Sequence, residues 1–392
     1  MHINVPFDEP LYEVVDELIT LELASLEVGE EPIALVELEQ YASIWNSSTK
    51  KMVLIGANYP DELLQVQLNK MIEDDSVIVV TETTSNVYNK QFVNSIDKVI
   101  FPLDEVDFEA LKPEILLTLG GMIVSKKIKQ YLRTHQPKHH WHVDSKKAFD
   151  TYFCLERHFE ISPQLFFSQF FFLTSSIESE YQSSWLKIKE HRATKHTTYL
   201  ESCPYSDLKV FESVLESIPN KSHVQLSNSS IIRYTQLFDM NESLAIFCNR
   251  GTSGIDGSTS TAIGASIIHK NQAVFITGDV SFFYDSNALW NKYIPSDFRI
   301  ILINNNGGGI FKVIPGPKTT NALAYFETPH GLTAAQLCEM YQIEYSTANN
   351  LNELNVSLSD FYTESERPKL LEVFTPSQEN DEVLKEYFKA IK

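Results

Sequence analysis

Asp279 closes the apolar run AVFITGD, and the next apolar run, RIILIN, ends in Asn304, Asn305 and Asn306 followed by Gly307, Gly308 and Gly309. A carboxylate and an amide oxygen are hard donors suited to Mg²⁺. Two consecutive strands of a βαβ unit emerge at the same edge of a sheet, because their crossover is right-handed. Ligands of open α/β sheets bind outside that carboxyl edge. Asp279 and Asn305 are therefore expected to converge on one ion. The glycines remove side chains, so a backbone carbonyl can join the shell and a phosphate can approach. Taken singly, each half reads better as a capping aspartate or an Asn/Gly turn. The pairing carries the reading. Asp285 is expected to cap a following helix whose inner face holds Leu289, Trp290 and Tyr293.

Two further clusters bear chemistry. CNRGTSGIDGSTSTAIGAS (248–266) places glycines at 251, 254 and 257 before a small-residue helix. Such a helix packs closely and offers free N–H groups at its start. The spacing is G-x-x-G-x-x-G, neither the dinucleotide fingerprint nor a P-loop. LSNSSIIRY (226–234) ends a strand in a polar turn, with Arg233 one helical turn on. Arg233 and Arg250 together suit two-pronged binding of a carboxylate. His139, His140 and His142 are read as part of a partly exposed strand rather than a metal site.

These clusters need a frame. With 392 residues the chain is long enough for two to three domains. Its composition, 43% hydrophobic and 21% charged, is that of a soluble globular protein. A net charge of −20 argues against nucleic acid or an anionic membrane as partner, while leaving room for a local basic pocket. The four cysteines, Cys154, Cys203, Cys248 and Cys338, form no C-x-x-C pair and read as reduced thiols. No run has membrane-spanning length, and the start lacks signal-peptide character. A cytoplasmic location is expected.

Alternation of apolar runs and helical patterns predicts the architecture. Strands are expected at 50–55, 76–82, 97–102, 113–121 and 139–144, with a helix over 125–133. A helical connector follows over 176–204. A second set of strands is expected at 223–228, 243–249, 273–279, 298–305 and 369–375. The fold class is thus α/β, with two doubly wound, mainly parallel-sheet domains in series over 1–175 and 205–392. The first is expected to be mainly structural.

GDVSFFYDSNAL, NNNGGGIF and NRGTSGIDG resemble the thiamine-diphosphate (ThDP) enzyme superfamily, whose diphosphate motif is G-D-G followed by N-N. Here Val280 replaces the third glycine. The resemblance is closest to the menaquinone-pathway branch, which tolerates an apolar residue after the aspartate. NSSIIR, the GG-x-x-x-SKK stretch (120–127) and the opening HINVPFDEPLY extend it over the whole chain. It implies a ThDP-binding fold in the C-terminal domain. Asp279, Asn305 and the Gly307 carbonyl would hold Mg²⁺ or Mn²⁺. Ser229, Ser253, Gly254, Gly278, Val280 and Ser281 would line ThDP, with Ile255 as the apolar wedge. Arg233 and Arg250 would hold substrate carboxylates beside Ile310 and Phe311. Lys126 and Lys127 would reach in from the first domain, Lys127 standing where the family suggests arginine. The implied reaction decarboxylates 2-oxoglutarate and adds the remaining unit to isochorismate, in a homodimer or homotetramer. In this family a pyrimidine-binding domain carrying the activating glutamate precedes the HINVPFDEPLY stretch. The chain is accordingly expected to be a fragment with little activity alone, and no residue here is assigned as catalytic acid or base.

Overall fold

The computed structural model describes residues 4–6, 32–313 and 320–392. Most of the HINVPFDEPLY stretch lies outside them. Residues 32–392 pack as one compact unit. It contains two wholly parallel sheets.

The first sheet holds β1 (Lys51–Ile55), β2 (Val77–Thr81), β3 (Ile115–Leu119), β4 (His139–Val143) and β5 (Arg157–Phe159) in the order β2-β1-β3-β4-β5. KMVLI, VIVVT and ILLTL are buried along their whole length, as strands covered by helices on both faces must be. The expected strand at 97–102 is instead a short helix, Ile96–Ile100. Ile96, Val99 and Ile100 are spaced to share one helical face, and all three are buried. His139 and His142 are half-buried, as a partly exposed strand requires, and His140 is more enclosed than expected. His140 is fully buried, and the hydroxyl oxygen of Thr118 joins His140 Nε2 at 3.0 Å and His142 Nδ1 at 2.8 Å.

The second sheet holds β6 (His223–Ser227), β7 (Ala245–Asn249), β8 (Ala273–Gly278), β9 (Arg299–Asn304), β10 (Glu344–Ala348) and β11 (Lys369–Phe374) in the order β10-β11-β9-β8-β6-β7. After β6 the chain adds β7 on one side and β8 on the other. The strand order therefore reverses between β6 and β8, which opens a crevice at their carboxyl ends.

The helix Tyr181–Ser202 links the two sheets in sequence. Trp185 enters the core of the first sheet and Leu200 that of the second. Arg192 donates to the carbonyls of Ile391 and Lys392, tying this helix to the end of the chain. No helix among the described residues is long and apolar enough to cross a membrane.

A buried carboxylate joins the two halves. Glu82, just beyond β2, accepts the backbone N–H groups of Val124 (2.6 Å) and Ser125 (2.7 Å). It thereby caps the helix Lys126–Thr134, whose first residue is Lys126. Glu82 also accepts from Gln236 Nε2 at 3.1 Å, at the end of the helix that carries Arg233. Burial pushes its pKa up from 4.5 to about 7, against the pull of the two N–H donors. The folded protein therefore holds a proton here that the unfolded chain releases. This contribution to stability is present below pH 4.5 and lost as pH rises through 7. The rise is equivalent to about 3 kcal/mol. Relative to wild type, Glu82→Gln is expected to gain roughly that amount between pH 4.5 and 8, offset at every pH by the cost of turning an amide N–H toward one of the two backbone donors. Denaturant unfolding across that range checks it, and a pH-independent difference would contradict it.

Candidate active site

The carboxyl edge of the second sheet frames a cavity of about 530 Å³. Its wall is built from four strand ends. Ser229 follows β6, Ser253 to Ile255 follow β7, Gly278 ends β8 with Asp279 to Ser281 after it, and Asn305 and Gly307 to Phe311 follow β9. Lys126 enters from the first sheet. Of the predicted residues, only Lys127 and Arg250 stand outside this wall. Lys127 lines an adjoining cavity of about 160 Å³, where its ammonium lies 5.0 Å from the Phe101 ring. Arg250 lines a neighbouring cavity with Met122 and Cys248.

The backbone of the wall is strained. Ser229 has φ 74° and Ser253 φ 87°. Positive φ at residues other than glycine costs energy and gathers at functional sites. Asn228, which the sequence reading missed, braces both. Its amide nitrogen donates to the Gly254 carbonyl at 2.8 Å, and its amide oxygen accepts from Arg250 Nη1 at 2.6 Å. The Ser281 hydroxyl donates to the Ile255 carbonyl at 2.7 Å, fixing the loop that carries the apolar side chain of Ile255.

The three asparagines have separate tasks. Asn304 is fully buried and structural. Its amide donates to Glu372 (2.7 Å) and the Leu332 carbonyl (3.0 Å), while its oxygen accepts from Asn306 N. Asn306 takes the left-handed conformation, φ 63°. Asn305 faces the cavity. Its amide nitrogen donates to Asp207 Oδ2 at 3.0 Å, and its oxygen is buried with no hydrogen-bond partner among the described residues. A buried acceptor without a donor is costly, and a bound cation would satisfy it.

Asp279 is 3% exposed and is the first residue of the short helix Asp279–Tyr284. Its Oδ1 accepts the Val280 N–H at 2.7 Å and its Oδ2 the Gly307 N–H at 2.9 Å. That last bond spans β8 and β9, so the two halves of the motif touch directly. His330, also missed by the sequence reading, sets Nε2 3.3 Å from Asp279 Oδ2. The geometry falls outside a good hydrogen bond, so the pairing is electrostatic. Contact with this carboxylate raises the His330 pKa. Among the described residues, no three His, Cys, Asp or Glu side chains cluster as a metal site. The Asp279 carboxylate and the Asn305 amide oxygen are oxygen donors of the kind that hard cations take.

The glycines of the turn also make room for a neighbouring segment. A Cβ at Gly307 (φ +144°) would lie 2.6 Å from the Glu327 carbonyl oxygen. Gly308 N–H donates to that same oxygen at 2.6 Å. Glu327 pairs with Lys312 at 2.5 Å, which locks the segment over the turn. Gly307→Ala is expected to lose about 1–3 kcal/mol from backbone strain alone, with the clash added. Thermal denaturation measures this, and wild-type stability would contradict it.

Asp285 has another role than the one expected. It ends the helix Asp279–Tyr284 and accepts the Ser260 N–H at 2.8 Å, capping the small-residue helix Ser258–Ile268. The start of that helix therefore faces a carboxylate. Leu289 is buried, but Trp290 is 82% and Tyr293 65% exposed.

The cations of the wall form no side-chain ion pair among the described residues. Arg233 donates to its own helix start, the Ser229 carbonyl, at 2.6 Å. Burial and the nearby charge of Arg250 lower its pKa, while Asp97 opposes this. Among the described residues, no carboxylate lies within ion-pair distance of Arg233, Arg250, Lys126 or Lys127. In a chain of charge −20, such cations suit an anionic ligand.

Residues 229–373, the segment that builds this wall, match the family model for the thiamine pyrophosphate enzyme C-terminal TPP-binding domain. Curated relatives match the whole chain. A 2-succinyl-5-enolpyruvyl-6-hydroxy-3-cyclohexene-1-carboxylate synthase of Flavobacterium johnsoniae is 50% identical over 100% of this chain and 71% of its own length. That of Christiangramia forsetii is 51% identical over 100% and 69%. That of Porphyromonas gingivalis is 35% identical over 99% and 69%. Two parallel sheets, a TPP-binding segment around the cavity and identities of this order over the whole chain lead to one assignment: the chain belongs to the 2-succinyl-5-enolpyruvyl-6-hydroxy-3-cyclohexene-1-carboxylate synthase family of thiamine-pyrophosphate-dependent transferases.

Proposed function

We propose that the chain binds ThDP with Mg²⁺ or Mn²⁺ in the cavity between β6 and β8, and that it serves menaquinone synthesis by decarboxylating 2-oxoglutarate and transferring the remaining unit to isochorismate. The observation that carries the substrate class is the pair of cations, Arg233 and Lys126, that stand at the cavity wall without an ion-pair partner among the described residues. Both proposed substrates are dicarboxylates. The volume of about 530 Å³ falls within the roughly 300–1,000 Å³ of small-molecule sites.

The residues present fit the cofactor and its metal. The orphaned Asn305 oxygen and the Asp279 carboxylate face the same cavity. Together with the Gly307 carbonyl they would hold the ion. Gly254, Gly278, Val280, Ser229, Ser253 and Ser281 offer small or hydroxyl-bearing walls for a diphosphate, and Ile255 would support the ring system. Bound ThDP supplies the electron sink for cleaving and forming carbon–carbon bonds. The chain's own residues bind, orient and neutralise. Arg233 presents the donors not used by Ser229 to one substrate carboxylate. Lys126, held by the Glu82 cap, presents its ammonium to another. Ile310 and Phe311 exclude water from the reacting end.

Calorimetric titration of the ThDP- and Mg²⁺-loaded protein with 2-oxoglutarate and with pyruvate tests the substrate class. Tighter binding of 2-oxoglutarate is expected. Equal binding would favour a monocarboxylate 2-oxoacid decarboxylase and overturn the reading.

A further inference from the structure

Asp207 lines the cavity beside Asn305, and its contact with Asn305 is oriented. It is 2% exposed and begins the helix Asp207–Ser217. Its Oδ2 accepts the Asn305 amide N–H at 3.0 Å, and its Oδ1 accepts the Thr375 hydroxyl at 2.5 Å. Its backbone N–H donates to Asn380 Oδ1 at 2.8 Å. Thr375 lies just beyond β11, so the carboxylate is held from two directions. Gly309 makes room: a Cβ there would lie 3.3 Å from the Asn305 amide nitrogen.

An asparagine amide is pseudo-symmetric. Nothing in its own shape decides whether oxygen or nitrogen faces the ion. Only the oxygen can ligate a hard cation, and an N–H there would repel it. A carboxylate accepts only, so Asp207 compels the nitrogen toward itself and the oxygen into the cavity. The Asn305 oxygen is indeed the orphaned atom.

We propose that Asp207 is a positioning residue that fixes the amide orientation of Asn305 for metal binding. The inference rests on the metal reading above. Outer-shell partners of this kind typically contribute about 10–100-fold to metal affinity.

The test is a double-mutant cycle read by Mn²⁺ binding, with free Mn²⁺ followed by electron paramagnetic resonance in the presence of ThDP. Asp207→Asn in the wild-type background is expected to weaken Mn²⁺ binding by about 10–100-fold. In an Asn305→Asp background the ligand has two equivalent oxygens and no orientation to fix. There Asp207 would face a second carboxylate, which Asp207→Asn relieves, so the loss in Mn²⁺ affinity is expected to vanish or reverse. Metal-free stability should not fall in Asp207→Asn, because the change removes a buried charge near Asp279. Equal losses in both backgrounds would show a general charge effect and overturn the proposal, as would no loss in the wild-type background. Thr375→Val, which releases the other oxygen of Asp207, is expected to weaken Mn²⁺ in the same direction, and it carries the test if Asp207→Asn does not fold. An unchanged Mn²⁺ affinity in Thr375→Val would then overturn the proposal. Absence of saturable Mn²⁺ binding in the wild type would instead overturn the metal reading itself.

Discussion

Asp279→Ala is expected to abolish metal-dependent binding of ThDP while leaving the protein folded. The carboxylate is one of two side-chain donors proposed for the ion, and the other is a neutral amide. Removing it takes away the only formal negative charge proposed in the ligand set. The loss in metal affinity should exceed the roughly 10–100-fold that outer-shell changes cost. The fold has reason to survive. Asp279 sits beside Asp207, whose pKa burial pushes up to about 6, with the Asp279 charge adding to the rise. Alanine relieves that repulsion. Against this, the Gly307 N–H loses its acceptor, at a cost of about 1–3 kcal/mol. Titration of ThDP with and without Mg²⁺ separates the outcomes. Wild-type isotherms from the variant would refute the assignment. Asp279→Asn, which keeps an oxygen donor without the charge, should fall between the two.

The second large effect is expected at Arg233. The residue is half-buried, its side chain is anchored to the Ser229 carbonyl, and no carboxylate among the described residues pairs with it. Its remaining donors face the two cavities it lines. A charge-assisted hydrogen bond contributes about 1.5–3 kcal/mol. Arg233→Met is therefore expected to weaken 2-oxoglutarate binding by roughly 10–100-fold, with ThDP affinity nearly unchanged. Arg233→Lys keeps the charge and loses the fork geometry, so it should recover only part. Competition binding with the loaded protein reads both. Equal loss for pyruvate and 2-oxoglutarate would mean that Arg233 does not recognise the second carboxylate.

Much of this site was legible because its signals are local. An apolar run ending in Gly-Asp and another ending in Asn-Asn-Asn-Gly are strand ends that a parallel sheet brings to one edge. The central strands were equally plain, since burial on both faces leaves unbroken apolar runs. Two of the four edge strands carry no such signal. β10 reads EYSTA and β5 has three residues, and neither was expected. The apolar run at 97–102 is short enough to suit a strand or a helix, and burial of one helical face decided it. What sequence could not offer was distance. Asp207, Asn228 and His330 are ordinary polar residues in sequence. They matter because the sheet order places them against Asn305, Arg250 and Asp279. The same applies to Glu82, whose partners lie 42 and 154 positions away.

The central claim is that Asp279 and the Asn305–Gly307 turn form two sides of one metal–diphosphate clamp. Anomalous diffraction at the manganese edge, from crystals grown with Mn²⁺ and ThDP, tests it most directly. The account predicts one strong peak bonded to Asp279 and to the Asn305 amide oxygen, with the diphosphate beside it. A peak elsewhere, or bound ThDP with neither residue touching the ion, would contradict it.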